Sequence, residues 1–293
     1  MTSIALVTCA ALPDLDPDEL LLKSALEVEG LNVSSCIWTD AGVDWAAFDL
    51  VVVRSPWDYT DFHEDFIAWA KRVDAVTTLL NPGDVIEWNT DKRYLRDLLE
   101  AGVPVVPTVF LEPGGVTDWE PPVGFAEYVV KPAVSAGSRD TMRYIAAESM
   151  DVPRAHAQRL LDENRVVMIQ PYLDAVDTVG ETAVIYMGGE FSHSIRKGPM
   201  LAVNTEGERV EGLYVVETID PRTPSEAEHE VARQVLAAIP GGFARVLYAR
   251  VDLIPGSNGE PLLLELELTE PSLFFAKHES AAANMVKAIK ARL

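Results

Sequence analysis

Three acidic side chains near the end of the 293-residue chain have the types and spacing to hold a cation. RVLYARVDLI (245–254) and PLLLELEL (261–268) are strand-like runs joined by PGSNGE, a loop with hairpin chemistry. In the second run, alternation puts Leu262, Leu264, Leu266 and Leu268 on one face and Glu265 and Glu267 on the other. In the first run Tyr248, Arg250 and Asp252 share a face. Pairing the two runs brings Asp252, Glu265 and Glu267 together. Like charges that close are costly without a neutralising cation, and hard oxygen ligands suit Mg²⁺, which takes a few carboxylates plus substrate phosphates. The competing reading is a solvated acidic strand face.

Two lysines upstream suit an anion. NTDKRYLRDLLEAG (89–102) reads as a helix capped by Asn89 or Thr90, with Tyr94, Leu95, Leu98 and Leu99 inward and a stop at Gly102. Lys92 then falls in the first turn, where the helix dipole disfavours a cation unless an anion sits in front of it. EYVVKPAVSAGSRD (127–140) puts Lys131 at a strand end, followed by Ser135, Ala136, Gly137 and Ser138. Small residues let backbone approach a ligand closely, and successive N–H groups of such a turn can cradle phosphate oxygens. The phosphate-loop pattern G-x-x-x-x-G-K-[ST] does not occur in the sequence.

These groups need elements to position them. SIALVTCA, then ELLLKSALEVEG with Leu20, Leu21, Leu22, Ala25, Leu26 and Val28 at helical spacing, then NVSSCIW and FDLVVV, predict an open parallel sheet covered on both faces. Ligands on such sheets bind beyond the strand carboxyl ends, so Arg54-Ser55-Pro56-Trp57-Asp58-Tyr59, directly after LVVV, is a candidate substrate loop. Phe62, Phe66, Trp69 and Val73 are at helical spacing and read as core. The five histidines show no metal or triad spacing. Gly188-Gly189-Glu190 reads as a hairpin turn between TAVIYM and FSHSIR.

Composition narrows the function. With 48% hydrophobic residues the chain can bury a sizeable core, and 24 basic against 46 acidic residues give a net charge of −22, which repels nucleic acid and anionic membranes. No basic n-region precedes the short apolar run at the start, and no uninterrupted apolar stretch reaches the roughly 18 residues of a membrane span. Cys9 and Cys36 lack disulfide-framework or metal spacing, so a cytoplasmic location is expected.

The order and spacing of these pieces across residues 81–275 resemble the ATP-grasp superfamily, particularly its prokaryotic glutathione synthetase and ribosomal-protein glutamate ligase branch. The resemblance implies an α/β and α+β chain in three parts. These are an N-terminal open parallel-sheet domain (1–88), a lid subdomain (89–172) and a metal-binding subdomain (173–293). It implies an ADP-forming carboxylate–amine ligase working through an acyl phosphate on an amino acid or small peptide, with ATP and two Mg²⁺ ions as cofactors and a homodimer as the assembly. By position, Lys92 and Lys131 match the lysines that hold the α- and β-phosphates, and Ser135 to Ser138 match the loop that closes over them. Gln170, Tyr172 and Leu173 match the adenine segment, Glu181 the ribose contact, and Asp252, Glu265 and Glu267 the metal carboxylates. Arg196 matches the arginine on the transferred phosphate, with Lys197 beside it assigned to the tetrahedral intermediate. Glu267 stands where relatives often have asparagine, and Ala183 where many glutamate-ligase relatives have arginine. RSPWDY and TEPSLFF also resemble the smaller subgroup containing the D-cycloserine-forming ligase, which closes O-ureido-D-serine into a ring. Within this reading Arg54 anchors the substrate carboxylate, Ser55, Trp57, Asp58 and Tyr59 complete its pocket, and Glu270 and Ser272 meet the amino end or the phosphate. The remaining alternatives are a non-catalytic ATP-binding module and an acidic protein-interaction domain in which these motifs are coincidental.

Overall fold

The computed structural model describes residues 2–115, 118–199, 201–204, 209–210, 214–215 and 218–293. Strands β1 (Ser3–Thr8), β2 (Asn32–Ile37), β3 (Leu50–Ser55) and β4 (Thr78–Leu80) form the expected parallel sheet, in the order β2-β1-β3-β4. Alternate side chains of β1 and β3 enter different cores. Ile4, Leu6, Leu50 and Val52 meet Leu22 and Leu26 of helix α1 (Glu19–Val28). Ala5, Val7, Val51 and Val53 meet Phe66, Trp69 and Val73 of α2 (His63–Asp74). Burial on both faces explains why these strands are apolar throughout rather than alternating. The helix faces are narrower than the sequence reading held: Leu20, Leu21, Val28, Phe62 and Leu99 are exposed.

Helix α3 (Gly83–Asn89) and helix α4 (Tyr94–Glu100) lead away from this sheet. The expected cap at Asn89 or Thr90 is therefore corrected. Asn89 ends α3, and Lys92 lies in the connection before α4, where its N–H donates to the Ala133 carbonyl at 3.0 Å. Lys92 is therefore not in the first turn of a helix.

A second, antiparallel sheet holds β5 (Val109–Leu111), β6 (Glu127–Pro132), β7 (Met142–Ile145) and β8 (Val167–Pro171) in the order β5-β8-β6-β7. Helix α5 (Asp151–Asp162) covers it, packing Ala157, Leu160 and Leu161 against Tyr128, Val130, Val167 and Ile169. The short α6 (Ala175–Thr178) leads to a third sheet. There β9 (Glu181–Met187) and β10 (Glu190–Lys197) form the expected hairpin, and a ribbon of β11 (Arg209–Val210) and β12 (Tyr214–Val215) follows. With β13 (Ile219–Pro221), β14 (Tyr248–Pro255) and β15 (Pro261–Glu267) the sheet order is β13-β10-β9-β14-β15. Helix α7 (Glu226–Ala237) begins with a capping box in which Ser225 and Glu228 satisfy each other's backbone N–H, and it buries Val231 and Val235 against Val184, Val251 and Leu266. Helix α8 (Ala281–Lys290) lies between the first and third sheets, with Met285 and Ile289 in the same core as Ile4, Leu6, Ala183 and Ile185. Each such fully buried aliphatic side chain contributes about 1.5–3 kcal/mol.

The edge strand β15 is covered rather than left as an open ladder. Asn81 donates to the carbonyls of Tyr248 and Leu268 and accepts from the Leu247 N–H. Asn89 donates to the Leu266 carbonyl and accepts from the Leu268 N–H. These amides stand in for strand partners and fix the connection between the first two sheets onto the third. Among the described residues, no helix is long and apolar enough to cross a membrane.

Candidate active site

The two runs pair as the expected hairpin of β14 and β15, in a register that sets Asp252 opposite Glu265 and Arg250 opposite Glu267. The strict alternation does not hold, however. A bulge after Asp252 pairs Leu253 with Leu263 and leaves Leu264 as an extra residue. Leu263, Leu266 and Leu268 therefore join one core, while Leu264 lines a cleft beside Glu265 and Glu267, and Leu262 packs with it and Ile254.

That cleft, of about 460 Å³, gathers most of the candidate residues. Lys92, Lys131, Ser135, Ala136, Gly137 and Ser138 line it, as do Gln170, Tyr172, Leu173 and Glu181. So do Lys197, Glu265, Glu267, Glu270, Ser272 and Trp57. Lys92 Nζ donates to the Ser135 carbonyl at 2.6 Å and pairs with Glu265 at 3.1 Å. Lys197 Nζ lies 3.1 Å from Asp252 and 3.3 Å from Glu181. The Lys131 ammonium faces the cleft without a hydrogen bond or ion pair among the described residues. Burial lowers its pKa, Glu265 opposes that, and Lys92 adds repulsion.

Five of the candidate residues lie outside the cleft lining. Arg54 does not reach the cleft: it is fully buried, its Nε and Nη2 bind both oxygens of Glu19 at 2.8 and 2.5 Å, and Nη2 also donates to the Pro271 carbonyl. Ser55 is buried against Thr8 at 3.1 Å. Asp58 accepts from Trp38 Nε1 at 2.7 Å, away from the cleft lining. Tyr59 is buried behind the cleft wall and reaches it only through a hydrogen bond to the Glu270 carboxylate. Arg196 points away, because successive strand residues face opposite sides and Lys197 takes the cleft side. Its Nε donates to the Val179 carbonyl at 2.5 Å. Gly180, at φ +81, permits that approach: a Cβ there would lie 2.6 Å from the Lys197 carbonyl oxygen and 2.8 Å from Arg196 Nε.

The metal trio is also divided. Asp252, 1% exposed, is absent from the cleft lining and gives both carboxylate oxygens to Arg250 and one to Lys197. Among the described residues, no group of three or more His, Cys, Asp or Glu side chains is arranged to hold a metal ion. Burial pushes Asp252 upward, but Arg250 and Lys197 outweigh it and hold the carboxyl below the usual range. Lys92 and Lys131 do the same for Glu265. Glu267 behaves oppositely. Burial, with Glu265 and Asp252 repelling, pushes it up to about 8 although Arg250 pulls it down.

Arg250 is a cleft-lining residue to which no role was assigned from sequence. It lines the cleft and bridges Asp252 and Glu267, donates to the Ser272 carbonyl at 3.2 Å and lies over the Phe274 ring at 5.7 Å. The signal was available, since Arg250 shares a strand face with Asp252. Asp16, Asp18 and Lys277 also line the cleft, and no motif marked them.

Residues 4–81 match the family described as D-cycloserine synthetase DcsG, N-terminal domain. The chain is 36% identical over 305 residues to the cycloserine biosynthesis protein DcsG of Streptomyces lavendulae, covering all of this chain and 99% of that one. The crystal structure of D-cycloserine synthetase DcsG superposes with a TM-score of 0.86 at 35% identity, covering 99% of each chain. The D-alanine–D-alanine ligase of Bacillus anthracis complexed with ATP shares the fold at 14% identity, with a TM-score of 0.64 over 100% of this chain and 99% of that one. The relationship to DcsG runs the whole length of the chain, the parallel front sheet and the acidic hairpin alike, and it makes this protein a member of the DcsG family of ATP-grasp ligases.

Proposed function

We propose that the protein is an ATP- and Mg²⁺-dependent cyclo-ligase that transfers the γ-phosphoryl group of ATP to the carboxylate of an O-ureido-D-serine-type amino acid, releasing ADP, and closes the ring by attack of the substrate's own nitrogen on that acyl phosphate, which breaks the acyl carbon–oxygen bond and expels inorganic phosphate. The observation that carries this reading is the whole-length likeness to DcsG, front region included. The front region supplies Asp16, Asp18 and Trp57 to the cleft. A ligase that joins two molecules through the same acyl phosphate is the second reading, favoured by the fold shared with D-alanine–D-alanine ligase.

The residues present fit a nucleoside triphosphate. Three ammonium groups, Lys92, Lys131 and Lys197, line one cleft with a turn of small residues, and Lys131 has no partner of its own among the described residues. Val129, Leu173, Ile254 and Leu264 supply apolar lining suited to a base. The donor set also fits Mg²⁺, which needs only one or two carboxylates when phosphates complete its shell. Glu265 and Glu267 are the cleft-facing pair, and Asp252 is the third ligand in this reading. A second ion, implied by the resemblance, belongs to the same reading. Held there by these carboxylates, Mg²⁺ would supply positive charge to offset that of the nucleotide's phosphates.

The chain's own work is positioning and charge stabilisation, which dominate phosphoryl transfer. Lys92 and Lys131 hold the phosphates in line. Arg250 takes the role first given to Arg54, orienting the substrate carboxylate, and with Lys197 stabilises the oxyanion formed when nitrogen attacks the acyl phosphate. The turn from Ser135 to Ser138 excludes water, to which an acyl phosphate would be lost.

The test is ADP release from purified protein with Mg-ATP and a panel of O-ureido-D-serine, amino acids and dipeptides, run beside Glu265→Ala. Stimulation by O-ureido-D-serine, reduced about 100- to 1,000-fold in the variant, is expected. Stimulation by an amino acid pair instead would move the assignment to the second reading, and silence with every compound would overturn both.

A further inference from the structure

The turn 269–272 (TEPS) that follows β15 is held with unusual redundancy. Its four successive carbonyls each accept from a different side chain. Tyr248 Oη reaches Thr269 O at 2.9 Å, Trp57 Nε1 reaches Glu270 O at 3.0 Å, Arg54 Nη2 reaches Pro271 O at 2.8 Å and Arg250 Nη1 reaches Ser272 O at 3.2 Å. Two donors come from β3 and the loop after it, and two from β14, so the turn is fixed from two sheets at once. A chain reversal needs no such fixing. What it sets is the direction of the one charged side chain in the turn, Glu270.

Glu270 lines the cleft, and its carboxylate accepts from the buried Tyr59 hydroxyl. Tyr59 is 2% exposed and sits in the front core beside Phe66. One end of the carboxylate is thus anchored while the group as a whole opens onto the cleft. The cleft's other glutamates each have a cation: Lys197 for Glu181, Lys92 for Glu265 and Arg250 for Glu267. Glu270 alone among these four has no ion-pair partner among the described residues. Burial pushes its carboxyl up to about 7, with Tyr59 pulling the other way. A desolvated, pre-oriented carboxylate without an internal cation is complementary to an ammonium group brought by a ligand.

We propose that Glu270 receives the α-ammonium of the substrate and is the residue by which the enzyme tells an α-amino acid from the same carboxylic acid without its amine. Tyr59 is the positioning residue behind it. This rests on the cyclo-ligase reading above and deepens it. A buried polar group built to bind a partner rejects a ligand that lacks it, because the group is then left unpaired.

The experiment compares kcat and KM for ADP formation with O-ureido-D-serine and with its deamino analogue, in the wild type, Glu270→Gln and Tyr59→Phe. Glu270→Gln keeps the shape and removes the charge. The wild type is expected to favour the amino substrate by about 100-fold in kcat/KM, a typical cost of an unpaired charged group. In Glu270→Gln the KM for the amino substrate rises by a similar factor, kcat and the KM for ATP stay within about threefold, and the preference nearly disappears. Tyr59→Phe is expected to lose part of the preference. An equal loss for both substrates, or a preference unchanged in Glu270→Gln, would overturn the assignment while leaving the cyclo-ligase reading intact. Absence of turnover of O-ureido-D-serine by the wild type would sink that reading, and this assignment with it.

Discussion

Arg54 and Arg250 are both buried and both meet carboxylates, yet they sit in two different kinds of region. Arg54 binds Glu19 through two donors, lies 4.8 Å from the centre of the Tyr248 ring and is sealed from the cleft. Its pair is balanced, one cation to one carboxylate. Arg250 shares Asp252 with Lys197, binds Glu267 as well, and lines the cleft. There the charges form a network with Lys92 and Glu265 at one side and Lys131 without a partner among the described residues. The same residue types thus build a sealed pair where each charge is closed on itself, and line an open cleft where the network faces space. Residue type alone, which suggested Arg54 as the anchor, does not separate the two cases; closure does.

The comparison breaks most readily at Arg54. Removing one member of a sealed pair leaves the other charge buried and unpaired, so Arg54→Met is expected to cost about 3–5 kcal/mol in urea unfolding. Replacing Glu19 as well, by Leu, should recover most of that, since apolar residues of similar volume often substitute for a buried pair at little cost. A loss below about 1 kcal/mol for Arg54→Met would show that the pair is not closed as described.

A smaller effect sharpens the same distinction at His193, another group satisfied from within. Its ring nitrogens meet Ser192 Oγ at 2.9 Å and the Leu273 carbonyl at 2.9 Å, and His278 stacks 5.4 Å away. Burial lowers its pKa to about 4, against which the Leu273 carbonyl works, and His278 adds to the lowering. The unfolded chain therefore binds the proton between about pH 6.5 and 4 while the folded one does not, and stability falls as pH drops through that window. His193→Gln should flatten this acid limb by about 1–3 kcal/mol, read from unfolding free energies at pH 7 and pH 4.5.

The front sheet was legible because strands buried on both faces show as continuous apolar runs, and SIALVT and LVVV are such runs. The hairpin itself was legible from the turn chemistry of PGSNGE, while the register that sets Asp252 opposite Glu265 was not. The bulge at Leu264 was not, since a row of four apolar residues at 261–264 carries no mark of which one is extra. Lys92 was identified for a helix position that it does not occupy; its ammonium lines the cleft through the backbone bond to Ala133 and the contact to Ser135, both set by tertiary packing. Arg196 and Lys197 could not both face the cleft, and the period of two left the choice to the fold. The division of the carboxylates between Arg250, Lys197 and Lys92 depends on which cations the other strands bring, and one strand's sequence does not contain that.

The central claim is that the open network binds nucleotide and the closed pair does not. Calorimetric titration of Mg-ATP into Lys131→Met and Arg54→Met, each with its melting temperature, tests it most directly. The account predicts that Lys131→Met loses at least about tenfold in ATP affinity with its melting temperature kept, as expected for one phosphate-bound cation, while Arg54→Met melts lower and retains ATP affinity within about twofold. Full ATP affinity in Lys131→Met, or its loss in a folded Arg54→Met, would contradict it.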